Sequence, residues 1–120
     1  MNIYNLLNQL HTADPDSILY CYPADDNTAQ ILADEFPQVR IVQTLGRWVP
    51  HGTRISMSEA LQKEFDTVCL PGEVIKDMLG AGIKCLKPKG FIYSDLEIVI
   101  KGTGVKKGEC NGGIYRYKKK

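Results

Sequence analysis

Two rhythms of apolar residues alternate along the chain, short continuous runs and stripes spaced by three and four. Together they predict strands wrapped by helices. Ile3, Leu6, Leu7 and Leu10 fall at i, i+3, i+4 and i+7, which predicts an amphipathic helix over 2–12. Asp14-Pro15-Asp16-Ser17 is a turn and leads into the buried strand Ile18-Leu19-Tyr20-Cys21-Tyr22. Asn27, followed three residues later by Gln30, reads as a variant capping box opening a helix that buries Ala29, Leu32, Ala33 and Phe36. Pro37 closes that helix, and Val39 to Thr44 forms the second strand of a βαβ unit.

The stretch from Phe65 to Asp95 repeats the pattern most clearly. Thr67-Val68-Cys69-Leu70 reads as a strand buried on both faces, and Pro71-Gly72-Glu73 ends it. Ile75, Met78, Leu79, Ile83 and Leu86 then share one helical stripe. Gly80 and Gly82 within it predict either fraying or a close approach to the sheet. Lys87-Pro88-Lys89-Gly90 reads as a turn into the strand Phe91-Ile92-Tyr93, a parallel partner for the first. Between the two units, Leu45 to Ser58 is the least regular stretch, with Thr53 to Met57 a short third strand and Ser58 opening a brief helix. Beyond Tyr93 the alternation runs on through Leu96, Ile98 and Ile100; Lys106 to Gly113 is rich in turn residues, and Ile114 to Tyr117 should close an antiparallel hairpin. In that last strand Tyr115 and Tyr117 should share one face, with Ile114 and Arg116 on the other. The fold class expected is α/β, a Rossmann-like three-layer sandwich whose mostly parallel sheet ends in an antiparallel C-terminal hairpin.

Composition adds boundaries rather than chemistry. A chain of 120 residues with 43% hydrophobic and 24% charged residues is expected to form one domain over 1–120 with a core of its own. No apolar run reaches a membrane span and the first residues lack a signal-peptide pattern, so a cytoplasmic location and no membrane partner are expected. Cys21, Cys69, Cys85 and Cys110 have no metal or redox spacing and read as mostly buried free thiols, with no metal site expected. The net charge of +1 hides a polarity: residues 84–120 carry ten basic and three acidic side chains, 10 − 3 = +7, against 5 − 11 = −6 over residues 1–83. That basic segment is where a nucleic acid, an acidic protein or a second copy of the chain is expected, if it is more than a solvated edge.

The order helix, βαβ, irregular crossover, βαβ and hairpin resembles the class I S-adenosylmethionine-dependent methyltransferase fold. Phe65-Asp66-Thr67-Val68 through Leu86-Lys87-Pro88-Lys89-Gly90-Phe91-Ile92 looks like that family's fourth strand, helix and "L-K-P-G-G" turn into the fifth strand. Ser17 to Thr44 is similar to its first strand, helix and second strand, and the resemblance covers most of the chain. It implies a cofactor, S-adenosylmethionine, gripped by a glycine-rich loop after the first strand and an acidic residue ending the second. Here those places hold Tyr22-Pro23-Ala24-Asp25-Asp26, without glycine, and Gln43-Thr44, without a carboxylate, although Gln43 or Thr44 can hydrogen-bond a hydroxyl. The family's helix before the final hairpin is also missing from the pattern.

Ligands of open α/β sheets bind at the carboxyl ends of the strands. The rule nominates Asp25, Asp26, Asn27, Thr44, Pro71 and Gly72 for cofactor binding, with Glu73 as a proton acceptor on position alone. Arg47, Trp48, His51 and Arg54 in the long crossover are further candidates for an anionic or aromatic ligand. The sequence therefore points to a methyltransferase-like domain with a degenerate cofactor motif, read as a non-catalytic binding or assembly module, the alternative being a minimal S-adenosylmethionine-dependent methyltransferase.

Overall fold

The structure, a computed structural model, describes residues 2–22, 26–43 and 49–120, with the backbone alone for Asp26. Its elements are α1 (Ile3–Ala13), β1 (Ile18–Cys21), α2 (Asp26–Glu35), β2 (Val39–Val42), α3 (Met57–Leu61), β3 (Phe65–Cys69), α4 (Gly72–Cys85), β4 (Leu86–Ser94), β5 (Val105–Asn111) and β6 (Ile114–Lys119). The strands form one sheet in the order β2-β1-β3-β4-β6-β5. β1 runs parallel to both β2 and β3, and β3 parallel to β4, whereas β6 lies antiparallel to β4 and β5. Strand order therefore reverses at β1, with β2 on one side and β3 on the other.

Helices cover both faces, as the apolar stripes require. Leu6, Leu7 and Leu10 of α1 and Ala29, Leu32 and Phe36 of the second helical segment pack with Ile18, Tyr20, Cys69, Tyr93 and Ile114. On the opposite face Ile75 and Cys85 of α4 and Ala60 of α3 pack with Leu19, Cys21, Val68, Ile92 and Tyr117. Successive strand residues alternate between the two cores, which is the pleat expressed in packing. Gly82 resolves its two readings: a Cβ there would stand 2.9 Å from Leu70 Cδ1, so α4 needs the glycine to lie close on the sheet. His11 Nε2 stands 3.1 Å from Glu35 Oε2 and its ring lies against Phe36, holding α1 to α2.

Five expectations are corrected. The third strand over 53–57 shrinks to a single parallel bridge between Ile41 and Arg54. Lys87–Gly90 is not a turn before a strand but an excursion inside β4. Leu86 pairs with Phe65, and pairing resumes only at Phe91 with Thr67, while Lys89 adopts φ 67°. The alternating residues 96–100 form no strand. Leu96, Ile98 and Ile100 do pack on the core, but β6 already has a strand on each side, so Ile98 N–H donates to the Tyr117 hydroxyl instead. Conversely, Lys106 to Asn111 is strand rather than turn, and only Gly112-Gly113 turns, with φ 60° and 78° as a two-residue hairpin demands. Finally, Asn27 lies inside the first turn of α2, which starts at Asp26, so it is not the residue that caps it. The faces of β6 are as expected: Tyr115 and Tyr117 join the α4-side core, and Ile114 the other.

Candidate functional site

The carboxyl edge of the sheet is where β1 through β4 deliver their chain ends, and its two halves are built differently. At the β1–β2 half the chain leaves β1 through Tyr22, whose N–H donates to Val42 O and whose φ is 54°. A left-handed conformation is costly for a bulky residue, on the order of 1 kcal/mol or more, and free for glycine. Tyr22 tolerates it because its ring packs into the α4-side core.

Beside Tyr22 opens a cavity of about 460 Å³ lined by Val42, Gln43, Arg54, Ile55, Ser56, Met57 and Glu59. Ser56 and Glu59 are engaged with each other. Ser56 Oγ accepts the Glu59 N–H at 3.0 Å, capping α3, and its hydroxyl donates to Glu59 Oε1 at 3.1 Å. Gln43 is the opposite case: its Oε1 is buried and has no hydrogen-bond partner among the described residues. A buried acceptor left unmet costs about 1–3 kcal/mol, so a donor arriving in this cleft gains what the fold gives up. Arg54 is exposed and adds the cleft's one cation among its described lining residues.

At the β3–β4 half the edge is closed by the chain itself. Pro71 precedes α4 and offers no side-chain cap, and the Gly72 N–H donates at 2.6 Å to the carboxylate of Asp95, the first residue after β4. Burial alone would raise the Asp95 carboxyl. The hydrogen bonds it accepts, that from Gly72 among them, outweigh burial and hold it below the ordinary carboxylate value. A Cβ on Gly72 would stand 3.0 Å from both Asp95 Oδ1 and Leu96 Cβ, so a side chain there would press this segment off the helix start.

Of the residues nominated for cofactor binding, Asp25 and Thr44 lie outside the described residues, as do Arg47 and Trp48, and the side chain of Asp26 is likewise outside them. Asn27 is exposed on the first turn of α2, and Pro71 is buried beneath the start of α4. Glu73 is exposed in the first turn of α4. None of Asn27, Pro71, Gly72 or Glu73 lines the cleft that holds Gln43. His51 is exposed in a turn and does not line it either, whereas Arg54 does. Asp95 was legible in principle, because the carboxyl-edge rule applies to β4 as well as to β1 and β3. The Ser56-x-x-Glu59 cap was legible too, from its spacing.

Three of the four thiols are buried and held protonated by their environment. Burial pushes Cys21 up to about 12, and it raises Cys69 and Cys85 as well, while Cys110 is exposed on β5. Among the described residues no three His, Cys, Asp or Glu side chains gather to hold a metal ion, and no helix is long and apolar enough to cross a membrane.

Comparison of the whole fold with solved structures then decides its type. A Staphylococcus aureus protein described as a caffeoyl-CoA O-methyltransferase superposes with TM-score 0.68 at 10% identity, over 98% of this chain and 82% of that one. The fold is that of the class I S-adenosylmethionine-dependent methyltransferases. An Escherichia coli protein described as a methyltransferase, yhhF, matches at TM-score 0.60 and 14% identity over 98% and 85% of the two chains. A Haemonchus contortus phosphoethanolamine N-methyltransferase, solved with S-adenosylhomocysteine, matches at TM-score 0.51 and 12% identity over 98% of this chain and 37% of that one. No family model matches the sequence, and no curated protein matches it significantly. Residues 95–104, between β4 and the final hairpin, contain no helix.

Proposed function

We propose that this chain is a non-catalytic binding module built on the methyltransferase fold. The observation that carries the reading is the Asp95 carboxylate on the Gly72 N–H at 2.6 Å, with Leu96 packed behind it. A helix start at the end of a central strand is the place where this fold can present backbone donors to a ligand. Here the chain fills that place with its own anion. The glycine-free loop after β1 and the missing helix before the hairpin support the same reading. The partner of such a module is expected at the hairpin, where Lys101, Lys106 and Lys120 are exposed, and its affinity should fall steeply with salt. Incubation with methyl-labelled S-adenosylmethionine and fractionated cell extract tests the negative half of the claim. No S-adenosylhomocysteine above the protein-free control is expected, and product that scales with protein concentration sinks it.

A second reading, a minimal S-adenosylmethionine-dependent methyltransferase, is favoured by one observation, the orphaned Gln43 Oε1 at the end of β2. On this reading the Gln43 acceptor, at the end of β2, would take a hydrogen bond from a ribose hydroxyl of the cofactor. Calorimetric titration with S-adenosylmethionine and with S-adenosylhomocysteine separates the readings. Heat that vanishes in Gln43→Leu supports cofactor binding, and silence from both ligands removes the second reading altogether.

A further inference from the structure

A cavity of about 440 Å³ lies between α1 and the β5–β6 hairpin, and it shares no lining residue with the Gln43 cleft. Its floor is formed by Phe91 and Tyr93 of β4, with Arg116 of β6 beside them as the cross-strand partner of Tyr93. The Arg116 guanidinium lies 4.7 Å from the centre of the Phe91 ring, which fixes its plane. Among the described residues no carboxylate stands within ion-pair distance of it. Burial pushes the Tyr93 phenol up, and the Arg116 cation pulls in the other direction, so the guanidinium and the phenol stand close together over the floor.

The neighbouring strand β5 carries a carboxylate on the same cavity, placed there by a defect in the ladder. Lys107 pairs with Tyr117, but Cys110 rather than Glu109 pairs with Tyr115, so Gly108 and Glu109 together oppose Arg116. Bulges re-aim side chains, and this one needs a small residue at its start: a Cβ on Gly108 would stand 3.0 Å from Arg116 O. Glu109 is exposed, lines the cavity, and has no ion-pair partner among the described residues. Cation and anion thus border one concave space without neutralising each other, over an aromatic floor. Nearby, Asn8 contributes a carboxamide from α1. A flat guanidinium matches a carboxylate through two parallel hydrogen bonds, and a free carboxylate on the neighbouring strand matches an ammonium.

We propose that this cavity binds a small zwitterion of the α-amino acid class, its carboxylate on Arg116 and its ammonium on Glu109. The inference is independent of what the carboxyl edge binds. The test is calorimetric titration of the full chain with L-phenylalanine, 3-phenylpropionate and phenethylamine, which share a ring and differ only in their charged groups, and with glycine, which has no ring. An amino acid should bind about tenfold or more tighter than its analogue lacking either charge, the worth of one charge-assisted hydrogen bond. Arg116→Lys keeps the charge but loses the fork, and should weaken L-phenylalanine by a similar factor. Glu109→Gln should bring L-phenylalanine down to the level of 3-phenylpropionate while leaving 3-phenylpropionate unchanged. If Arg116→Lys does not fold, Glu109→Gln, at an exposed bulge, decides alone. No heat from either amino acid, or equal binding of L-phenylalanine in wild type and Glu109→Gln, overturns the proposal.

Discussion

The two halves of the carboxyl edge belong to the same sheet, yet among the described residues one leaves a buried side-chain acceptor unmet and the other meets the first N–H of its helix. At the ends of β1 and β2, Gln43 Oε1 is orphaned beside a cavity, and Tyr22 holds a left-handed backbone. At the ends of β3 and β4, Asp95 satisfies the first N–H of α4. The difference separates binding from chemistry in physical terms. Unsatisfied groups and local strain are retained where a ligand can repay them, and satisfied groups mark structure. The open half is therefore the place to look for a ligand, and the closed half is a clamp.

That clamp extends along the whole of α4. Its start is held by Asp95, and its end by Lys119 of β6, whose Nζ donates at 2.8 Å to the carbonyls of both Ile83 and Leu86. An anion at the amino end and a cation at the carboxyl end both oppose the helix dipole, and both come from beyond β4. The strongest way to break the comparison is Gly72→Val, which forces a side chain into Asp95 and Leu96. It should cost about 1–2 kcal/mol of unfolding free energy, as overpacking of a close contact does, read as a lower urea midpoint at unchanged slope. Lys119→Met should cost about 1 kcal/mol in the same measurement, from two lost carbonyl partners and a lost terminal charge. If Gly72→Val were silent, the edge over β3 and β4 would be open after all, and the non-catalytic reading would lose its main support.

In the open half a substitution of similar bulk should act in the reverse sense. Gln43→Leu removes a buried acceptor that has no partner among the described residues, so it should leave stability unchanged or raise it by up to about 1 kcal/mol. A thermal melt with and without S-adenosylhomocysteine reads both consequences at once: a midpoint at or above wild type, and no ligand-dependent rise. A clear loss of stability without ligand would mean that Gln43 holds the fold together and is not waiting for a donor.

What the sequence reveals of this molecule follows the range of the interactions that build it. The four parallel strands and the helices α1, α2 and α4 are written in local periodicity, since a strand buried on both faces and a helix buried on one leave patterns a few residues long. The errors arise where a distant partner decides. Residues 96–100 alternate as a strand would, and they fail to be one only because both edges of β6 are already taken. Lys106 to Asn111 looks like a turn by its glycine and charges, and becomes a strand because β6 offers it an edge. The site follows the same rule. Gln43 is noticeable as the end of β2, but the closure of Gly72 by a residue 23 positions later is a tertiary fact with no local signature beyond a polar pair after an apolar run.

The smallest expected effect separates the halves by charge. Asp95 is held below its ordinary value of 3.8 in the folded chain, so its contribution to stability is fully present above that value and is lost as pH falls through the lower, folded one. Gln43 itself carries no titrating group, so protonating Asp95 should loosen the closed half without touching the orphaned acceptor. The amide signal of Gly72, followed by NMR from neutral pH downward, should shift at a pH below 3.8 with the loss of its 2.6 Å partner. In Asp95→Asn that transition should disappear, and the acid limb of the stability curve should become shallower. A Gly72 amide that titrates above 3.8 in the wild type would mean that the Asp95 carboxyl is not held below its ordinary value in the folded chain.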